Sequence, residues 1–267
     1  NEAEPNVSLV VANPSFDLAK AVSPDSQQTG SSFELIASQK RSAEIDTFKW
    51  RPLPGTNKEG KIIANEIDAT LLVEEKATAQ AIIKTSDPKI LHIASHSFYL
   101  ENQPKNEKDT NSPFQFQGFA KGENPLLRSG IVLAGANKPD AKKFDDGYLT
   151  ALEVANLDLS ATEMVVVSGC ESGKGDIQAG ESVYGLKRAI AVAGARSSLL
   201  SLWEVKDKET AAFMESFYRR LKKGDGRADA LAATQKEFRN HPDPSWRHPY
   251  VWAAFQLSGD WRPINWD

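Results

Sequence analysis

The sequence predicts an α/β fold, with a mostly parallel central sheet covered by helices on both faces. Three observations predict it: continuous apolar runs, amphipathic segments between them, and small residues along one of those segments. Continuous apolar runs are typical of strands that are buried on both faces, and alternation of strands with helices is typical of parallel sheets. A chain of 267 residues can build one sizeable core, so we expect residues 1–267 to form a single domain.

Six apolar runs bounded by polar or turn residues are the candidate strands. In chain order they cover residues 7–12, 89–95, 129–135, 163–169, 196–203 and 251–257. Two other segments are rich in Pro, Gly, Ser and polar residues, namely 13–61 and 101–125. We expect both to be irregular, and we expect the second to be a polar insertion.

Three segments carry apolar or small residues at helical spacing. Residues 209–221 predict a buried face formed by Ala212, Phe213, Phe217, Tyr218 and Leu221. Residues 227–238 predict a second buried face, formed by Ala228, Leu231, Ala232 and Phe238. The third segment, 181–194, predicts a helix that lies close on the sheet through Gly185, Ala189 and Ala193.

Composition excludes several classes of function. A formal net charge of −4, without a basic stripe, argues against a dedicated nucleic-acid or membrane surface. No apolar run approaches the ~20 residues that a membrane span needs. The single cysteine cannot form an internal disulfide, which favours a cytoplasmic protein. The N-terminus lacks a methionine and a signal-peptide pattern, so we expect a domain from a longer chain.

Two reactive side chains follow predicted strands. His96 ends the run "ILHIASH" and Cys170 ends "MVVVSGC", and ligands of open parallel sheets bind at the carboxyl ends of strands. An imidazole beside a thiol can accept its proton and produce a nucleophilic thiolate. His92 lies about 13 Å further back along the same strand, so we expect it to be a buried, hydrogen-bonded histidine.

Other readings of these residues remain open. By residue type alone, a lone cysteine after valines is more often an inert core residue. A metal site is not expected, because His92 and His96 straddle a strand instead of sharing a helical face. The spacing of a phosphate-binding loop and a GxSxG elbow are both absent. We therefore expect neither a cofactor nor a metal.

Four motifs carry a resemblance to a known family: "LHIASHSF", "VVVSGCESGKG", "GESVYGLKRAIAVAGARSSLLSLWEVKD" and "HPYVWAAFQLSGDW". Together they resemble the CHAT domain, a caspase-like peptidase module that is often joined to tetratricopeptide repeats. The resemblance also includes "VSLVVANPSFD" and "WRPLPGT", and so spans nearly the whole chain. It implies a caspase-like three-layer α/β/α sandwich. The spacing from His96 to Cys170 exceeds the ~50 residues of caspases, and the insertion at 101–125 accounts for the excess.

The resemblance implies that His96 is the base and Cys170 the nucleophile of a cysteine endopeptidase. Backbone amides at Ser97, Gly169 and Cys170 would then stabilise the oxyanion. The family usually has Gly where this chain has Ser97, and Ala where it has Gly169. We expect the second change to be mild.

Four residues are candidates for substrate binding. In caspase-like folds the strand matching "SLWEVKD" lies beside the bound peptide, which suggests Trp203 as a pocket wall. Glu204, Asp207 and Asp17 are acidic candidates that could attract a Lys or Arg side chain at P1. Asp207 has a second interpretation, as the N-cap of a helix with Thr210 at N3, and we favour that one.

The predicted function is a Cys–His endopeptidase that acts on a protein or peptide and is regulated by a fused or bound partner, such as tetratricopeptide repeats. The alternative is an interaction or scaffold module that keeps the Cys–His pair without turnover, an alternative that Ser97 keeps open. A thiol amidotransferase is a weaker alternative, because that class expects a downstream histidine with a spaced carboxylate, and His248 is followed by Pro249 and Tyr250.

Overall fold

The computed structural model describes residues 7–17, 45, 48–100, 124–138, 146–169, 181–203 and 205–266. Nine strands lie within these ranges: β1 Leu9–Pro14, β2 Thr70–Glu74, β3 Ile90–Ala94, β4 Ser97–Tyr99, β5 Ser129–Val132, β6 Tyr148–Thr150, β7 Met164–Val167, β8 Ser197–Ser201 and β9 Phe255–Gly259. Seven α-helices lie there too: α1 Pro54–Glu66, α2 Ala79–Ile83, α3 Ala151–Val154, α4 Glu181–Val192, α5 Asp207–Lys222, α6 Arg227–Arg239 and α7 Pro249–Trp252.

A six-stranded sheet in the order β2-β1-β3-β7-β8-β9 forms the centre of the molecule. All neighbouring pairs are parallel except β8 with β9, which is antiparallel. The chain leaves β1 for β2 on one side and returns to β3 on the other, so the strand order reverses between β1 and β3. The carboxyl ends of β1 and β3 therefore flank a topological switch point, where α/β folds place their ligands.

Helices cover both faces of this sheet, as the continuous apolar strands predict. Alternate residues of each strand face opposite sides: Val10 packs with helices α1, α5 and α6, whereas Val11 packs with α2, α3 and α4. Helix α1 lies close on β1, since a Cβ at Gly60 would come within 2.6 Å of the Ala12 Cβ. The predicted α/β class is thus confirmed as a mixed fold with a mostly parallel sheet.

A second, antiparallel sheet of order β4-β5-β6 lies beyond the carboxyl end of β3. Its side chains form a third apolar cluster with the loop after β1 and the segment before α1. The cluster comprises Phe16, Ile45, Trp50, Phe98, Leu100, Val132, Ala136 and Tyr148. This cluster supports the end of β3, where the candidate site lies.

Some predicted elements are corrected. Residues 54–61, predicted irregular, belong to α1, which begins with a proline at a position where the missing N–H costs nothing. The run 129–135 contributes β5 to the antiparallel sheet instead of a strand of the central one. The run 251–257 contains the end of α7 before β9 begins. On α6, Ala232 is exposed and Thr234 is buried instead. The predicted insertion, 101–125, lies almost entirely outside the described residues.

Candidate active site

His96 lies just after β3, and only 8% of it is exposed. Its Nε2 is 2.8 Å from the backbone carbonyl oxygen of Arg51. Since a carbonyl only accepts hydrogen bonds, Nε2 carries the proton in the neutral ring and Nδ1 carries the lone pair. The rings of Phe16 and Trp50 lie 5.3 and 5.4 Å from the imidazole centroid. The imidazole is therefore held in one tautomer within an aromatic wall.

Gly169 brings the end of the neighbouring strand against the end of β3. Strands β3 and β7 pair in parallel through Ile93 and Val167, and the N–H of Ser168 donates to the carbonyl of Ile93 at 3.1 Å. Ser95 and Gly169 each lie two residues after this pair of residues, Ile93 and Val167. A Cβ at Gly169 would overlap the carbonyl oxygen of Ser95. This position of the chain therefore has no room for a side chain.

Cys170 follows Gly169 directly and lies outside the described residues. The backbone at Gly169 is fixed on its other side as well, because the Ser201 hydroxyl donates to its carbonyl oxygen. Residues 168 and 169 are thus held against both β3 and β8, at the end of the sheet that carries His96.

Ser97 begins β4 and is half-buried. In the hairpin with β5, the N–H of Val132 donates to the carbonyl of His96 at 2.9 Å and that of Leu100 to the carbonyl of Arg128 at 2.7 Å. Because backbone groups alternate in direction along an antiparallel strand, the N–H of Ser97 points away from β5. Ser97 is not among the described non-glycine residues with positive φ, so its Cβ introduces no backbone strain here.

Trp203 and Asp17, two of the candidate substrate residues, follow strands at the same end of the sheet. Trp203 follows β8, its Nε1 donates to the carbonyl of Tyr250 at 2.9 Å, and the two rings lie 6.2 Å apart. Glu204 is outside the described residues, as is the side chain of Asp207. The N-cap position of α5 belongs to Lys206, so the interpretation of Asp207 as the N-cap is wrong by one residue.

Asp17 lies three residues after β1 and is exposed. Its carboxylate accepts a hydrogen bond of 3.0 Å from the side-chain amide of Asn137. The same amide contacts the backbone of Trp50, the residue before Arg51. Neither Arg51 nor Asn137 was predicted: a backbone carbonyl carries no sequence signal, and Asn137 lies in a turn with no reactive neighbour.

His92 is fully buried, as predicted, and both of its ring nitrogens have partners. Nδ1 is 3.1 Å from the hydroxyl of Tyr218 on α5, and Nε2 is 3.1 Å from Oε1 of Glu59 on α1. Burial, and after it the Glu59 carboxylate, raises the pKa of Tyr218 well above the usual 10.0. The network joins two helices to β3 within the core, away from the strand end that carries His96.

We expect His92→Ala to lower the free energy of unfolding by about 3 kcal/mol or more, because Glu59 and Tyr218 would stay buried without their partner. Urea unfolding measures this.

We also expect the free energy of unfolding of the wild type to fall above about pH 10. There the unfolded chain loses the Tyr218 proton while the folded chain keeps it.

In Tyr218→Phe this contribution to the alkaline loss of stability should disappear. The matched control is Tyr184→Phe, since 71% of Tyr184 is exposed. An identical pH slope in wild type and Tyr218→Phe would contradict the buried network.

Within the described ranges, no group of three or more His, Cys, Asp or Glu side chains is arranged to hold a metal ion. None of the helices in those ranges is long and apolar enough to cross a bilayer. The candidate site is therefore built, as far as the structure describes it, from strand ends, aromatic rings and backbone groups.

Comparison with known proteins agrees with this architecture. The profile of the CHAT domain matches residues 1–260. The chain is similar to tetratricopeptide repeat protein 28 of Homo sapiens and of Mus musculus, at 24% identity over 236 residues in each case. The match covers 84% of this chain but only 9% of each relative. Because the profile covers nearly the whole sequence, the chain belongs to the CHAT domain family, within the caspase-like peptidase superfamily.

Proposed function

We propose that this domain is a cysteine endopeptidase in which His96 and Cys170 form the catalytic pair. The observation that carries the proposal is the close approach of Gly169 to Ser95, which allows no Cβ at Gly169. The residues that follow these two are Cys170 and His96. Close approach of the two backbones one residue earlier favours a thiol and an imidazole that meet at the carboxyl ends of the neighbouring strands β3 and β7.

The tautomer of His96 suits this chemistry. Because the Nε2–H of His96 donates a hydrogen bond to the Arg51 carbonyl, the lone pair is on Nδ1, which can accept the thiol proton from Cys170. The thiolate then attacks the scissile carbonyl, and the imidazolium gives its proton to the leaving amine as the C–N bond breaks. Water, deprotonated by the same Nδ1, hydrolyses the acyl-enzyme and regenerates the thiol.

The oxyanion of the tetrahedral intermediate needs preorganised donors. The Ser97 N–H is one proposed donor, since the hairpin pattern directs it away from β5. The Cys170 N–H is the second, and Gly169 allows the close backbone approach that would bring it there. Ser97 in this role requires only its backbone, and a strand conformation accommodates serine as well as glycine.

We propose Lys or Arg as the preferred P1 residue, with Asp17 as its partner. Asp17 follows Phe16, whose ring contacts His96, and its carboxylate is exposed to an incoming side chain. Trp203, supported by Tyr250, would form an apolar wall for the peptide. Glu204 and Asp207 remain further candidates for the same basic side chain.

Peptidyl ketones that react with thiols test the function and the P1 residue together. An arginyl ketone should modify Cys170, detected by peptide mass spectrometry, at least about tenfold faster than a leucyl or aspartyl analogue. Asp17→Asn should remove most of this preference. Asp158→Asn is the matched control. Asp158 also accepts hydrogen bonds, from Ser160, but it precedes β7 and so lies at the amino ends of the strands, opposite the candidate site.

Failure of every ketone to modify Cys170 in the folded protein would favour the scaffold alternative, in which the pair is retained without turnover. A faster reaction with the aspartyl or leucyl ketone would support the peptidase and reject the proposed P1 residue. The two parts of the proposal are thus separable by one experiment.

Regulation by a partner is part of the same proposal. The relatives that match this chain are named as tetratricopeptide repeat proteins, and we propose a repeat domain, in the same chain or bound to it, as the regulator. A cytoplasmic location would keep the catalytic thiol reduced. The rate of labelling by the arginyl ketone, compared between residues 1–267 alone and the same residues with a tetratricopeptide repeat domain fused or added, measures the regulatory effect.

A further inference from the structure

One asparagine ties together three loops that are remote in sequence. The Oδ1 of Asn137 accepts from the Trp50 N–H at 2.7 Å, and its Nδ2 donates to the Trp50 carbonyl at 2.9 Å. The same Nδ2 donates to Oδ1 of Asp17 at 3.0 Å, and the Asn137 backbone N–H donates to the Phe16 carbonyl at 2.9 Å. Donors and acceptors match at every contact, which fixes the orientation of the amide.

These contacts hold the surroundings of His96 without touching it. Trp50 precedes Arg51, whose carbonyl binds Nε2 of His96, and Phe16 precedes Asp17. The rings of Trp50 and Phe16 flank the imidazole at 5.4 and 5.3 Å. The side chain and the backbone N–H of Asn137 therefore link the two loops that carry these rings.

We propose that Asn137 is a positioning residue that aligns the Arg51 carbonyl with His96 and orients Asp17 for the substrate. The substrate part of this proposal rests on the proposed peptidase function, whereas the His96 part does not. The two effects share one amide, so a single substitution should disturb both the imidazole and the P1 preference.

A purely structural role for Asn137 is the competing explanation. The Trp50 ring has its own anchor, since its Nε1 donates to the Tyr148 hydroxyl at 3.0 Å, and Tyr148 in turn donates to the Ala136 carbonyl at 3.1 Å. The aromatic cluster should therefore survive Asn137→Ala. The substitution removes the two hydrogen bonds between the Asn137 amide and the Trp50 backbone. Trp50 is buried, so its N–H and carbonyl would both lose a partner away from water.

The first test is the tautomer of His96, measured by ¹⁵N NMR on protein labelled in histidine, with the signal assigned by its absence in His96→Ala. Wild type should show the Nε2–H tautomer, and Asn137→Ala should show a mixture of both tautomers. Asn156→Ala is the matched control, because Asn156 also donates to a backbone carbonyl, that of Leu152, but lies on the surface after α3. An unchanged His96 signal in folded Asn137→Ala would overturn the proposal.

If Asn137→Ala does not fold, Asn137→Asp serves instead. It has the same size and keeps the acceptor for the Trp50 N–H, but it loses the donor for the Trp50 carbonyl. Because the new carboxylate oxygen would repel the Trp50 carbonyl and the Asp17 carboxylate, this variant should also show a mixture of both tautomers. An unchanged signal in this variant would equally reject the role of Asn137.

The second test concerns Asp17 and needs turnover or labelling. Asn137→Ala should lower the preference for arginyl over leucyl ketones about as far as Asp17→Asn does, and the double variant should lower it no further. Independent, additive losses would show that Asn137 does not act through Asp17. If no ketone reacts with wild type, the peptidase proposal fails while the NMR result still decides the link between Asn137 and His96.

Discussion

His96→Ala and Cys170→Ala should each reduce peptide cleavage by at least about 10³-fold, and the double variant should be no worse than either single one. Members of a catalytic pair act as one unit, so removal of the second group costs little once the first is gone. Cleavage of an arginyl reporter peptide measures the loss. Circular dichroism should show that both variants remain folded.

His248→Ala is the control for this prediction. His248 is exposed and caps α7, with its Nδ1 accepting from the Tyr250 N–H at 3.2 Å, so cleavage should persist. Loss of cleavage in His248→Ala would revive the amidotransferase type of arrangement. Loss in His92→Ala without loss of stability, together with activity in His96→Ala, would mean that the wrong histidine had been assigned.

Gly169→Ala should prevent folding or lower the free energy of unfolding by more than about 4 kcal/mol, which is exceptional for one methyl group. The added Cβ would overlap the Ser95 carbonyl oxygen, a backbone atom that cannot rotate away. Either β3 or β7 would have to move. Thermal unfolding and expression in the soluble fraction measure the effect.

Gly185→Ala is the matched control, because a Cβ there would meet the Ser129 hydroxyl at 2.6 Å. A hydroxyl can change rotamer, and alanine favours the helix α4 in which Gly185 lies. We expect a change of at most about 1 kcal/mol. A stable Gly169→Ala variant would show that the two strand ends are further apart than described, and would weaken the proposed pairing of His96 with Cys170.

The central strands were predictable because burial on both faces leaves a continuous apolar run. The runs 7–12, 89–95 and 163–169 correspond to β1, β3 and β7 with ends that differ by one to two residues. Strand β2 was missed because it lies at the sheet edge, where its residues are only partly buried. Helix α1 was missed because Pro, Gly and Asn near its start are typical of turns.

The candidate site was predictable only where its chemistry belongs to side chains. His96 follows a strand end, and that position together with its residue type singled it out. The Arg51 carbonyl belongs to the backbone, and the hydrogen bonds of Asn137 depend on which loops the fold brings together. Neither the pattern of residue types nor their spacing contains that information.

The choice of a main-chain acceptor for His96 has a consequence for how the domain can diverge. The side chain of Arg51 is exposed, and any amino acid at that position supplies the same carbonyl oxygen. Residue 51 can therefore be substituted without loss of the carbonyl acceptor that orients the imidazole. We expect a comparison of sequences to show a variable residue at position 51, although its main chain makes a contact on which the proposed chemistry depends. The neighbours that hold this main chain in place should vary less.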